Sequence, residues 1–77
     1  METVYVLLKT EPGALEDILK QIRKIDGIKE ASPVTGAYDI IVRIDGEFIT
    51  DALSVVVKAI RKIPGIQGTE TLISVKI

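Results

Sequence analysis

Cysteine, histidine, tryptophan and asparagine are all missing from the 77-residue chain, and aromatic residues make up only 4% of it. Without cysteine there is no disulfide and no thiolate metal site. Without histidine, the Ser–His and Cys–His nucleophile schemes and an imidazole general base are excluded. Carboxylates remain, yet no spacing of Asp and Glu matches a metal-binding loop. Most of them fall on helix surfaces or at turn ends, where solvated charge is their ordinary role. The expectation is therefore a protein that is not an enzyme and carries no cofactor and no metal. A net charge of −1 lacks the basic excess that neutralises phosphates, so direct nucleic-acid binding is not expected. No apolar stretch approaches the ~20 residues of a membrane span, and no charged start precedes an apolar run that could act as a signal peptide. A cytoplasmic protein without a membrane partner is expected.

What is present is apolar: 47% of the residues are hydrophobic, too many for a disordered chain. Residues 1–77 read as a single domain with no linker. A core of this size stabilises by only a few kcal/mol, and small domains commonly add staples. With disulfides and thiolate metals excluded, oligomerisation is the support that remains. Abundant Ile, Lys and Glu beside the missing Asn and Cys point to a heat-adapted source.

The chain also repeats itself. Ile22-Arg23-Lys24-Ile25-Asp26-Gly27-Ile28 returns 38 residues later as Ile60-Arg61-Lys62-Ile63-Pro64-Gly65-Ile66. Upstream, Leu15, Ile18, Ile22 and Ile25 correspond to Leu53, Val56, Ile60 and Ile63, a 3-4-3 spacing that puts four apolar side chains on one helix face. The pattern predicts a strand over Thr3–Lys9, a helix over Ala14–Asp26 ended by Gly27, and a strand over Ile28–Val34. Pro33 assigns that second strand to an edge or a bulge. A turn at Thr35–Tyr38, a strand over Asp39–Asp45, a helix over Ile49–Ile63 and a strand over Thr69–Lys76 complete the order. Two tandem βαβ units with right-handed crossovers give an α+β, ferredoxin-like βαββαβ fold: a four-stranded antiparallel sheet with both helices on one face. Tyr5, Leu7 and Ile41 then lie on the other face, an apolar patch best covered by a second copy across a two-fold axis. The doubled basic pairs Arg23-Lys24 and Arg61-Lys62 read as cations at helix C-termini, not as a nucleic-acid grip.

Two segments are candidates for a site. Thr10-Glu11-Pro12-Gly13-Ala14-Leu15 initiates the first helix, and its free backbone N–H groups could also receive a carboxylate. It resembles the Pro-Gly-x-Leu loop of ACT domains, amino-acid-binding regulatory modules of the same topology. Gly36-Ala37-Tyr38-Asp39 reads as a hairpin turn in which Gly36 supplies positive φ and Asp39 accepts local N–H bonds.

With Pro64-Gly65-Ile66 and Thr69-Glu70-Thr71, that turn resembles the effector (RAM) domain of the Lrp/AsnC transcriptional regulators, over nearly the whole chain. The resemblance implies an amino-acid pocket between subunits, in dimers packed into rings. Gly36, Tyr38 and Asp39 would come from one subunit, and the hydroxyls of Thr69, Thr71 and Ser74 from a neighbour. Asp39 would accept from a ligand ammonium; backbone N–H groups around Gly36 and the threonines would donate to its carboxylate. Ordinary strand propensity explains the three hydroxyl residues equally well. Ala37 stands where many members carry Asp, and no helix-turn-helix precedes the first strand. The expectation is a stand-alone module that regulates transcription indirectly, by co-assembly with a full-length regulator or by a ligand-dependent change in oligomer state. An ACT-like module holding its ligand at Glu11-Pro12-Gly13 is the alternative, and a dimeric α/β-barrel enzyme the weakest reading.

Overall fold

The computed structural model describes residues 1–77, in the order β1 (Glu2–Thr10), α1 (Leu15–Arg23), β2 (Ile28–Pro33), β3 (Ile40–Gly46), α2 (Ile49–Lys58) and β4 (Ile66–Ile73), with a 3₁₀ turn over Ile60–Lys62 after α2. The strands form one antiparallel sheet in the order β2-β3-β1-β4. This is the ferredoxin-like α+β arrangement that the doubled segment predicts.

Period-two alternation sets the layers. Val4, Val6 and Leu8 of β1 and Ile40, Val42 and Ile44 of β3 are fully buried. They meet Ile18 and Ile22 of α1, and Ala52, Val56 and Ile60 from the second helical segment. Burying each such aliphatic side chain stabilises by about 1.5–3 kcal/mol. The repeat holds residue for residue. Ile18 and Ile22 match Val56 and Ile60 and are buried, while the outer Leu15, Ile25, Leu53 and Ile63 are only partly covered. The glycines of the repeat pack crosswise: Gly27 lies against Val55 of α2, and Gly65 against Ile18 and Ala14 at the start of α1. Both need positive φ, +96° and +93° respectively.

Several boundaries differ from the sequence expectation. α1 ends at Arg23, with Lys24 as its C-cap, so Gly27 starts the approach to β2 and does not terminate the helix. α2 ends at Lys58, and the basic pair Arg61-Lys62 sits on the following 3₁₀ turn. Those cations are therefore not at an α-helix terminus. β4 begins at Ile66, which leaves Ser74 beyond its last residue, Ile73. β2 is an edge strand with a register shift between Ile28 and Glu30, as Pro33 led one to expect.

Tyr5, Leu7 and Ile41 lie half-buried on the open face with the more exposed Leu72, opposite the helices. On the same face Arg43 grips Asp45 through two contacts of 3.2 Å, and the Thr3 hydroxyl donates to Asp45 at 2.9 Å. The Asp45 side chain is only 6% exposed. The Thr3 hydrogen bond, with Arg43 behind it, holds the Asp45 carboxyl below the usual carboxylate range. The bond to Asp45 raises Arg43 in turn. No helix is long and apolar enough to cross a membrane.

Candidate functional site

Inward positions on β1 run Val4, Val6, Leu8 and then Thr10, the one polar residue in the buried set. A polar group at a core position needs a partner. Asp39 supplies it: its Oδ2 accepts from the Thr10 backbone N–H at 2.8 Å and from the Thr10 hydroxyl at 3.3 Å. The Asp39 backbone is equally fixed, since its N–H donates to the Leu8 carbonyl and its carbonyl accepts from Val34, both at 2.8 Å. The turn before β3 is thereby clamped between β1 and the end of β2. Asp39 does accept backbone N–H bonds, but from a residue 29 positions away and not locally. Its Oδ1 has no partner in the chain and is not sealed from solvent.

Asp39 is one wall of a recess of about 460 Å³, with Lys9, Thr10, Glu11, Gly13 and Gln67. The Glu11 N–H donates to the Gly65 carbonyl at 2.8 Å, which ties the loop after β1 to the start of β4. Hence the two segments singled out in the sequence, Glu11-Pro12-Gly13 and the turn ending in Asp39, share one depression. The walls offer carboxylate acceptors for an ammonium (Asp39, Glu11) and an ammonium donor for a carboxylate (Lys9). A second recess of about 330 Å³ adjoins the first through Gln67 and is lined by Arg61, Ile66, Gly68 and Thr69. A third, wider and apolar, lies between Leu15 and Pro33-Val34-Thr35. No group of three or more acidic side chains is arranged to hold a metal ion.

The other expected site residues are dispersed. Gly36 is exposed with φ +122°, and Tyr38 is half-buried beside Asp39; neither lines a recess. Thr69 lines the second recess. Thr71 pairs with Val6 in mid-strand and is exposed. The Ser74 N–H donates to the Thr3 carbonyl at 3.0 Å, at the opposite end of the sheet from Asp39. One chain thus joins Asp39 to the Glu11–Gly13 loop and leaves Thr71 and Ser74 apart. In the sequence Lys9 and Gln67 have no assigned site role, Arg61 reads as a helix-end cation, and Thr10 enters only as the start of the Thr10–Leu15 loop. Thr10 was readable as the polar break in an inward apolar series, whereas Lys9 and Gln67 carry no local signal.

A family model described as the Lrp/AsnC ligand binding domain matches residues 3–77. The HTH-type transcriptional regulator FL11 of Pyrococcus abyssi is 31% identical over 72 residues, which cover 94% of this chain and 47% of FL11. The chain spans about half the length of the curated relatives it matches. Among solved structures, FFRP-DM1 is 32% identical with a TM-score of 0.88, covering 97% of this chain and 100% of its own. AsnC of E. coli is 28% identical with a TM-score of 0.87, over 99% of this chain and 52% of that protein.

Proposed function

The chain belongs to the Lrp/AsnC family, as its ligand-binding domain, and on that footing we propose that it is an oligomeric sensor of a small amino acid or related metabolite. Ligand binding between subunits would alter assembly or co-assembly with a full-length regulator, so that its effect on transcription is indirect. The observation that carries this reading is Asp39. Asp39 lines the recess, one of its carboxylate oxygens is locked onto Thr10, and the other has no partner in the chain. An oriented anion of that kind suits an α-ammonium, and Lys9 suits the α-carboxylate. Gly36, Tyr38 and Thr69 complete the site from the same subunit, and the hydroxyls of Thr71 and Ser74 would come from a neighbouring one. A further support is NMB0573 of Neisseria meningitidis, a transcriptional regulator of the same fold at 18% identity and TM-score 0.82, whose structure is a complex with L-Met.

Assembly follows from the open sheet face, where Tyr5, Leu7, Ile41 and Leu72 surround a neutral Arg43–Asp45 pair. A second copy would bury the apolar part of this face, and the Arg43–Asp45 pair adds no net charge to it, while Glu30 and Glu70 also lie on this face. The reading has no catalytic residues. Calorimetric titration with each of the twenty amino acids, paired with light scattering, tests it. Binding of at least one is expected, weakened about tenfold or more by Asp39→Asn, which keeps an acceptor for Thr10 but removes the charge. Saturable binding that Asp39→Asn leaves untouched would move the ligand elsewhere.

A further inference from the structure

The doubled segment isolates a guanidinium that has lost its partner. Of the three arginines, Arg23 donates to the Ala31 carbonyl at 2.9 and 3.3 Å, and Arg43 holds Asp45. Displaced by 38 residues, Arg23 becomes Arg61 and Ala31 becomes Thr69. These two again share a recess, yet Arg61 has no acceptor in the chain. The cause is local. Arg23 is the last residue of α1, whereas α2 stops at Lys58 and carries Arg61 onto the separate 3₁₀ turn. Ala31 is 6% exposed, while Thr69 is only partly covered and brings a hydroxyl. The first half closes the arginine against its own strand; the second presents it, with Thr69 and Gln67, to solvent.

We infer that Arg61, Gln67 and Thr69 form a carboxylate-binding subsite, and that the ligand is an α-amino acid whose side chain ends in a carboxylate. This rests on the reading of the Asp39 recess as the amino-acid site. Gln67 lines both recesses. The register places Gly68 opposite Lys9 and Ile66 opposite Thr10, so Gln67 flanks β1 on the side away from Asp39. The two backbones are two strand spacings apart, about 10 Å. Long side chains reaching inward can bridge that gap around an acidic amino acid, its ammonium on Asp39 and its distal carboxylate on Arg61. A guanidinium with no internal acceptor binds a carboxylate bidentately, and amide and hydroxyl donors add to it. The second recess presents mostly polar surface, with Ile66 its one apolar side chain, which gives an aliphatic ligand end little to bury.

The test titrates the assembled protein with glutamate, aspartate, glutamine, leucine, methionine, lysine, glutarate and inorganic phosphate. Glutamate or aspartate is expected to bind about tenfold or more tightly than glutamine or leucine. Arg61→Gln should abolish that preference while leaving thermal unfolding and assembly size unchanged, and Arg61→Lys should restore part of it. Glutarate, which lacks the ammonium, should bind weakly. Tightest binding of leucine, methionine or lysine, sensitive to Asp39→Asn but not to Arg61→Gln, overturns this inference and leaves the sensor reading standing. Phosphate binding as tightly as glutamate makes Arg61 a general anion site and overturns it too. Binding of no amino acid at all overturns both.

Discussion

At the scale of single residues, two aspartates do different work with similar hydrogen bonds. Asp39 divides its oxygens between Thr10 and solvent, so it orders a strand end and keeps charge for another molecule. Asp45 is fully engaged by Thr3 and Arg43 and is nearly covered. Its titration must therefore appear in folding. A carboxyl whose pKa is lowered on folding contributes stability above its unfolded value, near about 3.9, and loses it as pH falls through the lower folded value. The expected outcome is that unfolding temperature falls more steeply below about pH 4 in the wild type than in Asp45→Asn. Above that range the wild type should be the more stable of the two. Thermal unfolding of both proteins from pH 2 to 7 checks this, and parallel acid limbs would mean that Asp45 gains nothing from its partners.

At the scale of elements, the repeat was legible because helix faces and strand alternation are periodic, and a 38-residue displacement copies them. The inner pairs Ile18/Ile22 and Val56/Ile60 are buried as the spacing required. Where the helices end was not legible. Residues 58 to 63 continue an apolar helical period, yet the chain tightens into a 3₁₀ turn at Ile60–Lys62. Pro64 disfavours helical geometry in the residue before it, and Gly65 must sit at positive φ against α1. The site was half legible: Asp39 and Gly13 stood out singly, but their sharing a recess depends on Thr10 and on the Glu11–Gly65 bond, which are tertiary. Gly65 offers the test of this crosswise packing. Gly13 and Gly65 have similar φ, +82° and +93°, but a Cβ at Gly13 meets nothing, while one at Gly65 would lie 3.2 Å from the Ile18 Cδ1 and 3.3 Å from the Ala14 Cβ. Gly13→Ala should cost about 1 kcal/mol of strain, and Gly65→Ala about 2–3 kcal/mol because crowding is added. Denaturant midpoints measure both, and equal losses would contradict close packing at Gly65.

At the scale of the whole molecule, the surface is too large for the mass. The chain exposes 5056 Å², against roughly 4,600 Å² expected of a monomer of 8.4 kDa. It is thin, 37 × 23 × 16 Å, because two layers have their core between them and nothing on the outer side of the sheet. Only two ion pairs decorate it, so charge networks do not make up the difference. In the proposed oligomer stability is shared with assembly, and by mass action the unfolding temperature should rise with protein concentration. Leu7 is the position to probe. It lies on central strand β1, on the open face, directly opposite Glu70 of β4. In Leu7→Lys the new ammonium gains a cross-strand carboxylate and disturbs the lone subunit little, while placing a charge where a second copy would sit. Light scattering is expected to show a monomer. The unfolding temperature should fall below that of the wild type and lose its concentration dependence. An unchanged assembly size would put the interface on another surface, and a wild type that is monomeric with a concentration-independent unfolding temperature would remove the need for one.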